Sequence, residues 1–232
     1  MVSTTKLRER LVREQVAARG VEDLLVLTAM GRVRRELFVP KSLRDDAYKD
    51  RPLPIGADQT ISQPYIVAFM IEALGLKGGE KVLEIGAGSG YAAAVLAEIA
   101  GDVFTIERIG RLAKIAAANL KASGHSRVHV RHADGTEGWG AEAPFDAILV
   151  SAGAPDVPKS LMSQLAVGGH LVVPVGSAQR AQKLLRITRA GEDKYEREYL
   201  ADVRFVPLVG KEGWKAADTV DPQLEVNDLL PD

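Results

Sequence analysis

Glu84-Ile-Gly-Ala-Gly-Ser-Gly90 is the stretch whose residue types and spacing carry the most chemistry. Gly86, Gly88 and Gly90 lie between a strand-like run and an alanine-rich helical one. Glycine accepts positive φ and lets a ligand approach the backbone closely. The start of the following helix adds N–H donors. Glu107 falls about 20 residues after the first glycine, where a carboxylate accepts hydrogen bonds from ribose hydroxyls. Together they point to an adenosine-containing ligand. A dinucleotide fingerprint has glycines at relative positions one, three and six. Here the third glycine is at five, and Tyr91 takes the sixth position. Glu84, two residues before the first glycine, would repel a pyrophosphate and suits the ammonium of a methionine moiety, directly or through water. S-adenosylmethionine is favoured over NAD.

Asp134-Gly135 follows a third predicted strand. Its acid has two readings from spacing alone: acceptor for an adenine amino group, or an Asx turn or helix cap. The four histidines are scattered, and His129 and His132 straddle a strand end without an acid partner set, so no metal site is predicted. Arg32, Arg34 and Arg35 read as a solvated face or as packing against the domain rather than as a nucleic-acid patch. Asp146 reads as a local hydrogen-bonding acid. Trp139 and Trp214 fall in loops and are candidates for the ligand mouth.

The elements that must position these residues form two blocks. At the N-terminus, Leu7, Leu11, Val12 and Val16 recur at near-helical spacing, with Gly20 as a stop. A second helix covers Glu22 to Met30, a loop covers Asp45 to Pro54, and a third helix runs from Tyr65 to Leu74 with Pro64 in its first turn and Ser62 or Gln63 near its cap. After Gly78-Gly79 strands and helices alternate. Strands are predicted at Lys81–Ile85, Val103–Ile106, Arg127–Arg131, Phe145–Val150 and Gly169–Val175. Helices are predicted at Tyr91–Ile99, Arg111–Ala122 and Pro158–Leu165. Alternation with continuously apolar strands implies a parallel sheet covered on both faces. Between Val175 and Leu184 there is no room for a crossover helix, so Leu184–Thr188 and Val203–Val206 are expected to be antiparallel.

The 232 residues carry a formal net charge of -1 and no cysteine. The charge argues against a general polyanion binder. The missing cysteines exclude disulfides and thiolate catalysis, and favour a cytoplasmic address. The first eighteen residues hold no continuous apolar core, so neither a signal peptide nor a membrane span is expected.

Several segments resemble the protein-L-isoaspartate O-methyltransferase family. They are Pro52-Leu-Pro-Ile-Gly56, Gln59-Thr-Ile-Ser-Gln-Pro-Tyr-Ile-Val-Ala68, Val82 to Tyr91, Thr105-Ile-Glu-Arg108, Ala143 to Val150, Gly168 to Gly176 and Val203-Arg-Phe-Val-Pro-Leu208. The likeness runs in chain order from about residue 7 to residue 210. The glycine turn is common to many methyltransferases; the Gln-Thr-Ile-Ser-Gln-Pro and Arg-Phe-Val-Pro-Leu segments are far more specific.

The resemblance implies an α/β fold of the Rossmann-like class I methyltransferase type. Its mostly parallel seven-stranded sheet would carry an antiparallel C-terminal strand pair and extra N-terminal helices. The expected organisation is one domain: N-terminal helices and lid over 1–75, an S-adenosylmethionine-binding core over 76–210, and a loosely held tail over 211–232. The implied reaction methylates the α-carboxylate of L-isoaspartyl residues in damaged proteins, leaving S-adenosylhomocysteine, in a cytoplasmic enzyme that is expected to be a monomer without membrane or nucleic-acid partners.

By motif, Ser62 is the active-site serine. Thr60, Ile61 and Ser62 line the cofactor. Gly86 and Gly88 face its methionine part, Glu107 the ribose and Asp134 the adenine; Glu84, Ala87, Arg108 and Gly135 are also expected to bind the cofactor. Gln59, Ser62, Ala152, Val203, Phe205 and Val206 are expected to meet the substrate, with the Val203–Val206 strand pairing along its backbone. The family often has Gly where this chain has Asp58 and Ala133. Asp58 bears on the lid's shape, because Asp accepts positive φ less readily than Gly. A carboxylate nucleophile is already ionised at neutral pH. No general base is required, and Ser62 is read as orienting the acceptor rather than attacking.

Overall fold

A computed structural model describes residues 3–178 and 181–216. Its frame is a seven-stranded sheet in the order β5-β4-β3-β6-β7-β8-β9. The strands are β3 (Lys81–Ile85), β4 (Asp102–Glu107), β5 (His129–His132), β6 (Phe145–Val150), β7 (Leu165–Ala178), β8 (Ala181–Arg189) and β9 (Tyr195–Val203). β3 to β7 are parallel; β8 and β9 are antiparallel to their neighbours. β3, β4 and β6 are buried on both faces apart from Lys81, Asp102 and Asp146; apolar residues dominate them, and the polar Glu84, Thr105 and Glu107 are buried alongside. Alternate residues feed two cores. Val82, Ala147 and Val172 join the N-terminal helices, whereas Leu83, Ile85, Ile148 and Leu171 join the opposite layer.

The N-terminal block contains α1 (Thr4–Leu11), α2 (Leu24–Arg32), α3 (Pro64–Ala73) and a short hairpin of β1 (Leu53–Gly56) with β2 (Gln59–Ile61). α1 runs on through a π turn and a 3-10 turn to Gly20, whose φ of 97° ends it. The core adds α4 (Tyr91–Ala97), α5 (Gly110–Ala122) and α6 (Lys159–Gln164). No described helix is long and apolar enough to cross a membrane.

Three expectations need correction. The segment Asp45 to Pro54 is not wholly loop: a 3-10 helix, Lys41–Asp46, ends inside it, and β1 begins at Leu53. The hairpin escaped notice because its turn uses Ala57 and Asp58, at φ 53° and 54°, instead of glycine. The last strand is Tyr195–Val203 and ends where the expected strand begins. Its sequence is charged because it is a sheet edge exposed to water. Finally, the expected loose tail begins with a fixed segment. Lys211 N donates to Asp134 Oδ2 at 2.8 Å, Ser160 N and Oγ donate to the Glu212 carboxylate at 3.0 and 2.5 Å, and Trp214 Nε1 donates to Gly153 O at 3.0 Å. The rest of that tail, 217–232, lies outside the described residues.

Candidate active site

β3 is flanked by β4 on one side and β6 on the other, so the strand order reverses at its C-terminal end, where open α/β sheets bind ligands. A cavity of about 280 Å³ opens there. Its floor is Ile85, Gly86 and Gly88 after β3, with Ile106, Glu107, Arg108 and Ile109 at the end of β4. Gly135, Ser151 and Ala152 form one side, and Val206 to Val209 another. The hairpin tip, Ala57 to Thr60, closes over the top.

The glycine turn is held by its own hydrogen bonds. Gly86 N and Ala87 N donate to Ile106 O at 2.8 and 3.2 Å, and Gly90 N donates to Ala87 O at 2.7 Å. Gly88 N donates to Glu107 Oε2 at 2.9 Å. Those amides are spent inside the protein, so the turn offers little of the N–H cradle that a phosphate needs. A site with a carboxylate on its floor and spent amides suits a nucleoside without phosphates. Gly88 favours glycine on two counts: φ is 55°, and an added Cβ would lie 3.2 Å from Ile55 Cδ1 of the hairpin, which would have to give way.

Glu107 is 7% exposed and lines the cavity. Its Oε1 accepts from Ile109 N at 2.8 Å, so each carboxylate oxygen already holds one backbone donor and keeps a lone pair for a ligand. The alternation of β3 turns Glu84 to the other face. Glu84 is 1% exposed, absent from the cavity lining, and accepts from Thr105 Oγ1 at 2.6 Å. Burial drives its pKa up to about 8, the Thr105 hydroxyl opposing and the Glu107 charge adding. The expected contact of Glu84 with a ligand ammonium is therefore corrected: it is a buried acid between β3 and β4.

Asp134 follows its turn reading. Its Oδ1 accepts from Thr136 N and Oγ1 at 2.9 and 2.7 Å, and its Oδ2 from Lys211 N. Burial alone would raise its pKa, but the Lys211 and Thr136 donors, with Arg108 nearby, bring it below the ordinary value. Those bonds commit both oxygens to the turn and the 211–214 segment, and Asp134 does not line the cavity; Gly135 does.

The expected edge for substrate is largely occupied by the protein. Phe205 N donates to Gln182 Oε1 at 2.7 Å, and Gln182 Nε2 donates to Phe205 O at 3.2 Å. Val206 O accepts from Gly153 N, and Leu208 N donates to Gly153 O, both at 2.8 Å. Val203 and Phe205 stay out of the cavity, whereas the Val206 position lines it.

Of the remaining predicted residues, Gln59, Thr60, Gly86, Gly88, Arg108 and Ala152 come together around the cavity, and Ala87 sits buried within the turn. Ile61, 5% exposed, packs into the core. Ser62 lies beyond the lining, half-buried just before α3. Its carbonyl accepts from Arg35 Nη2 at 2.9 Å, while its hydroxyl has no protein partner among the described residues. Neither Ser62 nor Gln63 caps α3 with its side chain; Asp50 serves instead, accepting from Tyr65 N at 2.9 Å. Asp146 takes the Lys81 N–H at 2.8 Å, and Trp139 packs edge-on to Phe104 away from the mouth. Sequence reasoning missed Ile85, Ile106, Ile109, Ser151 and Pro207 to Val209. The apolar residues closing β3 and β4 were the available signal for the first two.

A model of the protein-L-isoaspartate(D-aspartate) O-methyltransferase (PCMT) family matches residues 6–213. The chain is 65% identical over 207 residues to protein-L-isoaspartate O-methyltransferase 1 of Rhodopseudomonas palustris (strain HaA2), covering 89% of this chain and 84% of that one. It is 60% identical over 208 residues to protein-L-isoaspartate O-methyltransferase 2 of Marinobacter nauticus, covering 90% and 95%. A solved structure named protein-L-isoaspartate O-methyltransferase aligns with TM-score 0.80 at 30% identity, over 89% of this chain and 67% of its own. A Plasmodium falciparum beta-aspartate methyltransferase (PCMT) in complex with S-adenosyl-L-homocysteine aligns with TM-score 0.74 at 26% identity, over 86% and 96%. A match that spans both the switch-point cavity and the hairpin above it makes this chain a member of the protein-L-isoaspartate(D-aspartate) O-methyltransferase family.

Proposed function

We propose that this protein methylates the α-carboxylate of L-isoaspartyl residues in damaged proteins, with S-adenosylmethionine as donor. The observation that carries the reading is the cavity at the β3–β6 switch point. It has Glu107 on its floor, apolar walls, spent turn amides and a lid hairpin above, in a chain of this family. The cofactor supplies a methyl group made electrophilic by a positively charged sulfur.

The chain's own residues then have simple tasks. Glu107 accepts the ribose hydroxyls with the lone pairs left over from Gly88 N and Ile109 N. Ile106, Ile109 and Leu208 give apolar surface to a base, with Gly135 beside them. Gly86 and Gly88 leave room for the methionine portion, and Gln59 and Thr60 cover it. The acceptor is ionised at neutral pH, so no residue needs to remove a proton from it. Alignment is the main contribution, worth roughly 7–11 kcal/mol in the best cases. The unpartnered Ser62 hydroxyl donates a hydrogen bond that orients the acceptor carboxylate. A stronger donor there would hold the ground-state charge and slow transfer. Ala152 and Val206 bound the acceptor side. Once methylated, the ester carbonyl is attacked by the neighbouring backbone nitrogen; the new C–N bond closes a succinimide as the C–O bond breaks and methanol leaves with the amide proton, and water opens the ring to aspartyl and isoaspartyl linkages. The absence of cysteine fits a cytosolic address, and size-exclusion chromatography checks the expectation of a monomer.

The deciding experiment offers labelled cofactor to paired isoaspartyl and aspartyl peptides of otherwise equal sequence. Label is expected in the isoaspartyl peptide alone; equal labelling, or none, overturns the reading. Ser62→Ala is expected to lower turnover more than cofactor affinity, and a fully active variant would leave Ser62 no part in orientation.

A further inference from the structure

Arg35 has the least ordinary environment of any charged residue described here. It is 0% exposed, yet no carboxylate among the described residues hydrogen-bonds to it. Its Nε donates to Ala47 O at 2.9 Å and its Nη2 to Ser62 O at 2.9 Å. Nη1 is buried without a hydrogen-bond partner. The guanidinium lies 4.8 Å over the ring of Tyr91, the residue that opens α4 directly after the glycine turn. Burying a guanidinium against carbonyls is expensive, and an apolar side chain of similar volume would fill the space at less cost. The residue that stands here instead ties the Ser62 peptide to the cofactor turn.

Asp50 grips the same loop from the other side. Its Oδ1 accepts from Tyr65 N, and its Oδ2 from Gln63 Nε2 at 2.7 Å and Arg19 Nη1 at 2.8 Å. Gln63 Nε2 also donates to the Asp50 carbonyl at 3.0 Å. Arg19 in turn stacks 3.6 Å over the Tyr65 ring. Residues 62, 63 and 65 are thus each held by an ion or a charge-assisted bond, whereas the Ser62 hydroxyl between them is free of the protein. Charge-assisted bonds of this kind fix geometry as well as adding energy.

We propose that Arg35 and Asp50 are positioning residues that clamp the Ser62 loop in register with the cofactor turn, so that the Ser62 hydroxyl meets the acceptor carboxylate. The proposal rests on the methyltransferase reading above. It predicts that loosening either grip misplaces Ser62 while leaving the cofactor's own contacts in place.

The test uses the full chain, with wild type, Arg35→Met, Arg35→Lys, Asp50→Asn, Ser62→Ala and the doubles Arg35→Met/Ser62→Ala and Asp50→Asn/Ser62→Ala. The readouts are kcat and KM for an isoaspartyl peptide, the calorimetric Kd of S-adenosylhomocysteine, and the folded fraction. Arg35→Met is expected to lower kcat per folded molecule about tenfold to a hundredfold, since a misplacement near 1 Å has that effect. The Kd is expected to change by less than about threefold. Arg35→Lys keeps the charge but not the fork, and is expected to recover only part of kcat. Each double is expected to lie within about twofold of its more damaged single parent, because both changes remove one interaction.

Where Arg35→Met does not fold, Asp50→Asn, whose site keeps 8% side-chain exposure, reads the same prediction. A kcat per folded molecule unchanged from wild type, a kcat and Kd lost in proportion, or a double mutant whose loss is the product of the singles each overturns the proposal. Wild type separates the two layers. If it transfers no methyl, the functional reading fails and the clamp falls with it; if wild type and variants transfer equally, the clamp alone fails.

Discussion

Replacing Glu84 with glutamine removes an ionisable group from the interior without changing its shape. The glutamine oxygen can still accept from Thr105 Oγ1, now 2.6 Å from the carboxylate. In the folded protein the carboxyl titrates at about 8, against an ordinary 4.5, because burial at 1% exposure penalises the ion. Each tenfold change in an ionisation constant is worth about 1.4 kcal/mol, so a fully ionised Glu84 burdens the fold by about 5 kcal/mol. Between pH 4.5 and 8 the folded chain holds a proton here that the unfolded chain has released. Stability contributed by this site is therefore intact below pH 4.5 and is lost as pH rises through about 8. At pH 7 the loss comes to about 3 kcal/mol, and at pH 5 to about 1 kcal/mol.

Glu84→Gln has no such dependence. Its extra buried N–H adds a penalty of about 1–3 kcal/mol, but one that is the same at every pH. The gap between variant and wild type should thus move by about 2 kcal/mol in favour of the variant from pH 5 to pH 7. Urea denaturation followed by circular dichroism at pH 5, 6, 7 and 8 measures it. A gap that is flat across that range, or that moves the other way, refutes the picture of Glu84 as a buried neutral acid.

Glu107→Ala should weaken S-adenosylhomocysteine binding by roughly 1–3 kcal/mol, as charged hydrogen bonds are lost; an unchanged calorimetric Kd would remove it from the ribose. Asp134→Ala should destabilise the protein by about 1–3 kcal/mol, because the N–H groups of Thr136 and Lys211 lose their acceptor. Urea midpoints report the loss, and trypsin cleavage after Lys211 should quicken; neither change would mean the segment is held elsewhere. Asp58→Gly should stabilise by about 0.5–1 kcal/mol, the relief of positive φ exceeding the entropy glycine adds to the unfolded chain. A lower melting temperature would show that the Asp58 side chain outweighs its backbone strain.

The parallel core was legible because Val82-Leu83, Val103-Phe104 and Ala147 to Val150 form short apolar runs that alternate with helical segments. The glycine turn and Glu107 were legible because their chemistry is local to one strand–turn–helix unit. Glu84 was misplaced by attending to its charge instead of its period: two residues from Val82, it had to share that face. β9 was missed because an exposed edge strand carries Glu196, Arg197, Glu198 and Asp202, and so has no apolar signature. Arg35 read, with Arg32 and Arg34, as a solvated face or as packing against the domain, and its burial fits the second reading. Nothing in its neighbours announces that two carbonyls, those of Ala47 and Ser62, converge on it from distant turns. Gln182 was equally silent, since a side chain that stands in for a strand partner follows no repeat.

Asp134-Gly135 is the one Asp-Gly dipeptide in the chain, and it borders the cavity. A following glycine, lacking a Cβ, leaves the backbone nitrogen free to attack an aspartyl side chain, which is how isomerised linkages arise. That attack requires the side chain to lose its negative charge and swing toward its neighbour's nitrogen. Here three donors keep the carboxylate ionised and pointed at Thr136 and Lys211. The bonds that anchor the start of the 211–214 segment also hold the chain's one Asp-Gly linkage out of the geometry from which isomerised linkages form.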